Sequence, residues 1–275
     1  MEYSPKKFQE QFNKHGFNLK KMFGQNFIID ENIITKIIEE SEIDKETLVI
    51  EIGPGAGSLT YKLSESAKNV ICYEIDTSLK ALLEENIRSD NVKIIYQDFL
   101  KADVLNDIKE YNYKKLYVVA NLPYYITTPI ITKIIEEKIP VEKMVIMVQK
   151  EVGDRFKAKP NSKNYNSLSI YLDYYFDIKR ILDVSRNVFI PKPNVDSVVL
   201  ELQQKKEKLE LKNKELFFEL VRDSFKQKRK TLKNNLKKYD LNKIEIVLNK
   251  YGYSLSSRAE QISIEIFVKI SNELE

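Results

Sequence analysis

Val49-Ile50-Glu51-Ile52-Gly53-Pro54-Gly55-Ala56-Gly57-Ser58-Leu59-Thr60 is the stretch that decides the fold. Apolar residues run up to Glu51 and Ile52, three glycines alternate, and a helical pattern follows. This predicts a buried strand, a tight turn and a helix start. Glycine admits positive φ and lets a backbone approach a ligand closely. Pro54 stiffens the turn without needing a donor. An ordinary strand-to-helix turn has a similar composition, so the loop alone does not establish a nucleotide-type cofactor site. Signals further along the chain favour one.

Strand and helix patterns alternate outward from this loop. Strands are expected at Leu48–Ile52, Val70–Ile75, Val92–Gln97, Leu116–Ala120 and Met144–Val148. Helices are expected at Leu59–Ala67, Ser78–Ile87 and Thr127–Glu137, with Pro129 in a first turn where its missing N–H is harmless. Upstream, Asp30 can cap a helix whose apolar face is Ile33, Ile34, Ile37 and Ile38. Such alternation argues for a doubly wound α/β fold, its sheet mostly parallel and covered on both faces. Ile178–Asp183 and Ser197–Leu202 have no long helix between them and can close the sheet as an antiparallel pair. At Gln203-Gln204-Lys205-Lys206-Glu207-Lys208 the composition turns charged. A boundary there divides the chain into an α/β domain, 1–204, and a small all-α domain, 205–275. In the latter, Glu215–Leu236 is expected as one helix, followed by helices at Ile244–Leu248 and Ile264–Ile270. Residues from Met1 to about Asn18 read as a polar leader with scattered aromatics.

Composition narrows the chemistry. Among 275 residues there is one Cys and one His, which argues against a disulfide framework, a thiolate metal cluster and a histidine-based triad. Cys72 reads as a small core residue and His15 as a solvated one. Hydrophobic residues make up 43%, enough for a real core, yet no run is apolar for long enough to span a bilayer. A cytoplasmic, monomeric protein with no membrane partner and no metal is expected. Net charge is only +4, so a nucleic-acid site would have to come from charge segregation.

Glu74 ends the second strand at the distance from the glycine loop where doubly wound folds place the acid that accepts from ribose hydroxyls. That spacing also fits a nicotinamide cofactor. Asp98 ends the third strand, where it can accept from an adenine amino group or simply cap the next turn. The decisive stretch is Ala120-Asn121-Leu122-Pro123-Tyr124-Tyr125-Ile126, after the fourth strand. An exocyclic adenine amine is a poor nucleophile because its lone pair is delocalised. Two acceptors on its hydrogens orient it and stabilise the charge that grows as a methyl is attached. The Asn121 side-chain oxygen and the Leu122 carbonyl can be those acceptors, with Pro123 holding Leu122 extended. Tyr124 offers a face for a base lifted from its strand. Cytosine ring methylation would instead need a cysteine beside the substrate. The transfer itself requires no metal and no tuned base, since the methylated amine can lose its proton to water.

Asn121-Leu122-Pro123-Tyr124 resembles the amino-methyltransferase signature of enzymes that use S-adenosyl-L-methionine. Phe23-Gly24-Gln25-Asn26-Phe27, Gln149-Lys150-Glu151-Val152 and Phe189-Ile190-Pro191-Lys192-Pro193-Asn194-Val195-Asp196-Ser197-Val198 narrow the resemblance to the ribosomal RNA adenine dimethyltransferase family. It extends from about Lys20 to the C-terminus and is nearest to the branch that dimethylates two adjacent adenines near the 3′ end of small-subunit (16S) rRNA. The resemblance implies a seven-stranded class I methyltransferase sheet. It implies cofactor contacts from Asn26, Ile28, Gly53, Gly55, Glu74, Asp98 and Asn121, chemistry at Asn121, Leu122, Pro123 and Tyr124, and an adenine held between Tyr124 and Phe189. The small ribosomal subunit is the implied partner. Two departures stand out: Ile28 where Leu is common, and Asn166 where Gly is usual. A large-subunit (23S) methylase conferring macrolide resistance is the alternative within the family. A nucleic-acid-binding assembly or transcription factor of the same fold is the alternative outside catalysis, and the intact Asn121–Tyr124 motif argues against an NAD-dependent oxidoreductase.

Lys226, Lys228, Arg229, Lys230, Lys233, Lys237 and Lys238 follow one another with no acid among them. Charge runs are usually solvated faces. A run of one sign on one helix side also suits a phosphate backbone, and Lys226, Lys228, Arg229, Lys230 and Lys233 are the expected RNA contacts.

Overall fold

The computed structural model of the chain describes residues 5–15 and 26–275. Phe23, Gly24 and Gln25 of the N-terminal motif lie outside the described residues. The chain forms two compact units, residues 1–150 with 179–203 and residues 151–178 with 204–275.

The first unit is built on a seven-stranded sheet. Its strands are β2 (Thr47–Ile52), β3 (Asn69–Tyr73), β4 (Val92–Ile95), β5 (Lys115–Asn121), β6 (Lys143–Gln149), β7 (Phe176–Val184) and β9 (Ser197–Gln204), in the order β4-β3-β2-β5-β6-β9-β7. β4, β3, β2, β5 and β6 run parallel, and β9 is antiparallel to β6 with Ser197 opposite Gln149. Every residue of β2 is buried, as a strand covered on both faces requires. On one face, Ile34 and Ile37 of α2 (Glu31–Ser41) and Leu59 and Leu63 of α3 (Ser58–Ser66) pack on Val49, Val70, Val119 and Val145. Asp30 caps α2, accepting from the Asn32 N–H at 2.9 Å, as its place before the apolar stripe suggests. A two-stranded ribbon, β1 (Phe27–Ile28) against β8 (Phe189–Ile190), pairs Phe27 with Ile190 and Ile28 with Phe189.

The leader is not merely polar. α1 (Pro5–Lys14) is a helix, and Phe12 is fully buried against Phe27, Leu79, Leu82 and Leu83. Phe8 and Phe12 stand four residues apart, a helical spacing that the polar majority of the stretch outweighs. His15 is not free in solvent: its Nε2 lies 2.6 Å from Glu85 Oε2.

The second unit begins earlier than its charged border suggests. It includes α8 (Ser167–Tyr175), whose Tyr171, Tyr174 and Tyr175 pack on Phe217 and Phe218 of α9 (Lys214–Ser224). This aromatic seam, rather than chain order, gathers 151–178 into the helical unit. Asn166 has an ordinary extended φ of −157° and caps α8, accepting from the Leu168 N–H at 2.8 Å. The position does not need glycine's freedom here. α9 ends at Ser224, where the Asn235 side chain donates to the Ser224 carbonyl at 2.6 Å. A turn follows, then the short α10 (Leu232–Asn235), α11 (Leu241–Lys250) and α12 (Ile264–Leu274). The single helix expected over 215–236 is therefore broken in the middle.

Candidate active site

β2 is where the strand order reverses: β3 lies to one side and β5 to the other. Open sheets bind ligands at the carboxyl ends of strands at such a point. A cavity of about 230 Å³ opens there, lined by the glycine loop, Glu74, Asp98 and the Asn121–Tyr125 turn. Gly53 and Gly55 take φ of 73° and 59°, and a Cβ on Gly55 would fall 3.0 Å from the Phe27 ring. The turn is thus closed to other residues on two counts. Asn26 and Ile28, brought in on β1, also line the cavity.

Glu74 follows β3 and is only 4% exposed. Oε2 accepts from the Gly55 N–H at 3.2 Å and Oε1 from the Asp76 N–H at 2.8 Å. Burial pushes its carboxyl up to about 7, against the pull of those backbone donors. Glu51, at the end of β2, lines the same cavity, is 1% exposed, and is likewise raised by burial to about 7. The Cys72 thiol, beside it on β3, donates to it at 3.5 Å. The sequence reading missed Glu51. Its only sign was a carboxylate within an apolar strand. Asp98 caps the following turn, Oδ1 accepting from the Leu100 N–H at 3.0 Å, and the residue also lines the cavity.

Asn121 closes β5. Its Nδ2 donates to the Asn26 carbonyl at 2.9 Å. A carbonyl can only accept, so the amide nitrogen must face Asn26 and Oδ1 must face away from it. The Leu122 N–H is tied to the Met147 carbonyl at 3.1 Å, which fixes the start of the turn. Tyr124 bonds through its hydroxyl to Ser197 Oγ at 2.7 Å. Ser197 is fully buried at the start of β9, so the last polar residue of the Phe189–Val198 segment holds the tyrosine. That partnership had no local signal in sequence, the two residues being 73 positions apart.

Phe189 departs from expectation. It is 2% exposed and packs in the core with Val49, Val119, Met147 and Val199, and it is not among the cavity's lining residues. Its ring is held in that core, so in this structure it offers no face to a base. The basic residues also differ in setting. Lys226, Lys228, Arg229 and Lys230 lie in the turn after α9, and only Lys233 is helical. All five are exposed, and Lys228 Nζ donates to the Lys163 carbonyl at 3.1 Å, joining a second lysine-bearing loop. Lys238 is not part of an acid-free face, because it pairs with Glu219 and Asp223.

A buried carboxyl after β3, a positive-φ glycine turn and the Asn-Leu-Pro-Tyr turn share one cavity. The chain matches the ribosomal RNA adenine dimethylase family over residues 16–275. This chain belongs to that family. Among its relatives, the ribosomal RNA small subunit methyltransferase A of Bacillus pumilus is 47% identical, over 99% of this chain and 97% of the relative. That of Streptococcus thermophilus is 48% identical over 95% and 93%. Two solved structures share the architecture. A dimethyladenosine transferase from Plasmodium falciparum is 28% identical with a TM-score of 0.72, covering 89% of this chain and 95% of that one. The 23S rRNA methyltransferase ErmE is 26% identical with a TM-score of 0.71, covering 90% and 99%. As a dimethylase-family member, the chain is a methyltransferase with a class I sheet. No helix among the described residues is long and apolar enough to cross a membrane, and no group of three metal-ligating side chains occurs among them.

Tyr124 yields a graded prediction for such an enzyme. A base stacked on an aromatic is worth about 1–3 kcal/mol, so Tyr124→Leu should slow methylation strongly. Tyr124→Phe keeps the ring but leaves the buried Ser197 hydroxyl without this partner, so it should cost less, though measurably. Rates measured side by side that fall equally would assign the function to the hydroxyl rather than the ring.

Proposed function

We propose that this protein transfers methyl groups from S-adenosyl-L-methionine to the N6 atoms of two adjacent adenines near the 3′ end of 16S rRNA in the small ribosomal subunit. The observation that carries the reading is the Asn121 carboxamide, its nitrogen held by Asn26 and its oxygen left to accept. Oδ1 and the Leu122 carbonyl would take the two amine hydrogens and hold the nitrogen for attack. Tyr124 supplies the stacking face. Glu74, buried and already bonded to the glycine loop, suits the cofactor's ribose hydroxyls, and Asp98 its adenine amine. The buried carboxyls suit a ligand carrying positive charge, and the bound cofactor supplies the activated methyl. Asn26, Ile28, Gly53 and Gly55 line the cofactor side. Work on ribosomal particles would place the protein in the cytoplasm.

The test is methyl transfer from labelled S-adenosylmethionine to each ribosomal subunit purified from cells lacking the enzyme. Label in N6,N6-dimethyladenine of small-subunit RNA is expected. Label confined to large-subunit RNA would move the assignment to the 23S reaction. Binding without label would leave a nucleic-acid-binding factor.

The exposed loop of Lys226, Lys228, Arg229 and Lys230, with Lys233, supports an RNA footprint in the second unit. Withdrawing one cation from an RNA phosphate should flatten log affinity against log salt by about 0.7–0.9. Replacing Lys228, Arg229 and Lys230 with Gln should weaken small-subunit binding most near physiological salt and leave cofactor affinity unchanged. An unchanged salt slope would return these residues to ordinary solvated charge.

A further inference from the structure

The glycine loop has no side chains of its own to hold it at Gly53, Gly55 and Gly57, so its shape depends on ties from outside. One such tie reaches the N-terminal helix. α4 (Lys80–Asn86) ends on Asn86, whose Nδ2 donates to the Ala56 carbonyl at 2.9 Å. Asn86 Oδ1 accepts from Gln11 Nε2 of α1 at 2.8 Å. The orientation is forced along the whole path. The carbonyl of Ala56 can only accept, so the Asn86 nitrogen faces it, its oxygen faces Gln11, and Gln11 must donate.

A second path runs through apolar contact. The Phe12 ring lies 5.0 Å from the Phe27 ring at 51°, and Phe27 fills the space a Cβ on Gly55 would need. Phe27 and Ala56 both line the cavity. Around these two paths, Lys14 and His15 grip Glu85, with Lys14 Nζ at 2.8 Å and His15 Nε2 at 2.6 Å from Glu85 Oε2. Residues of α1 and its end thus converge on the loop or on the helix end that holds it.

We propose that α1 is part of the cofactor site, with Gln11 and Asn86 as positioning residues that hold the Ala56 peptide, and so the glycine loop, in its binding shape. The inference rests on reading this cavity as the S-adenosylmethionine site. The Ala56 carbonyl direction sets the plane of the peptide whose nitrogen is Gly57, and that N–H turns back onto the Pro54 carbonyl at 2.9 Å. Loss of the tie frees the loop to adopt other shapes, and binding must then order it. Affinity falls while the chemistry, located at Asn121, is untouched.

Asn86→Ala and Gln11→Ala should each raise the Kd for S-adenosylmethionine and for S-adenosylhomocysteine about threefold to tenfold. The double variant should be no worse than Asn86→Ala, because the two residues act in series. KM for the cofactor should rise, with kcat at saturating cofactor and KM for the small subunit unchanged. Linkage is reciprocal, so adding S-adenosylhomocysteine to the wild-type chain should slow amide exchange in α1. A lowered Tm with unaltered Kd and no protection of α1 would overturn the proposal and leave α1 a purely structural brace. Glu74→Ala is the control arm. If it weakens binding and Asn86→Ala does not, the positioning role fails alone. If neither variant changes binding, the cavity assignment fails with it.

Discussion

Asn121→Ala is expected to cut the rate of methyl transfer by about a hundredfold or more, equivalent to about 2.7 kcal/mol of barrier. The variant removes two things together: the acceptor for the adenine amine and the bond to the Asn26 carbonyl, which ties β5 to the entry of β1. Asn121→Asp separates them. An aspartate keeps an acceptor but sets a carboxylate against the Asn26 carbonyl, which cannot donate. It would also put a full negative charge beside a cationic methyl donor. Asp should therefore fall short of Asn even though it can accept. Single-turnover rates with labelled cofactor, together with binding of the small subunit, check this. Transfer near the wild-type rate in Asn121→Ala, with the particle still bound, would show that the Leu122 carbonyl suffices and that the motif acts as a turn.

The parts of this site that were legible in sequence are those where a residue type and its strand position carry the chemistry together. Gly53–Gly57 could be read because positive φ leaves few alternatives to glycine. Glu74 and Asn121 could be read because each stands at the carboxyl end of a strand in an alternating pattern, and the ends of parallel strands meet. Residues whose role comes from distant partners were not legible. Ser197 matters through Tyr124, and Glu51 through its burial. For Phe189 the family resemblance implies a place beside the substrate base, whereas its ring packs in the core with Val49, Val119, Met147 and Val199. In α1, Phe8 and Phe12 stand at helical spacing in an otherwise polar stretch, a signal too short to show that Gln11, Lys14 and His15 all find partners on α4. The break after Ser224 was hidden because Phe225 continues the apolar stripe, and the Asn235 side chain that ends the helix comes eleven residues later. Asn166 shows the reverse case: a departure from a family's usual glycine resolves into an ordinary helix cap once its φ is known.

Cofactor affinity is expected to rise as pH rises through about 7, and Glu74 is the main reason. Its carboxyl accepts from two backbone N–H groups while burial raises it to about 7. The charged form is the one that can accept from ribose hydroxyls with both oxygens. Roughly one such carboxyl in ten is ionised at pH 6 and nine in ten at pH 8. Binding at pH 6 must therefore expel a proton that is already gone at pH 8. Glu51, raised to about 7 in the same cavity, adds to the trend. The free protein responds in the opposite sense. A carboxyl raised above its unfolded value of 4.5 holds its proton more firmly when folded. The stability it contributes is complete below about pH 4.5 and is lost as pH climbs through about 7. The thermal shift produced by S-adenosylhomocysteine should accordingly widen between pH 6 and pH 8, as stability of the free protein declines and affinity grows. Glu74→Ala should weaken cofactor binding by roughly one to two decades at pH 8, from the loss of charge-assisted bonds worth about 1.5–3 kcal/mol. The penalty should be smaller at pH 6, where the wild-type carboxyl is mostly protonated. Glu74→Gln should flatten the pH dependence and leave a residual slope from Glu51, while affinity for the small subunit stays unchanged. Calorimetry across this range would show the wild-type slope and the released proton. An affinity for wild type that does not change with pH, or a Glu74→Gln variant with the full wild-type slope, would remove Glu74 from the cofactor site.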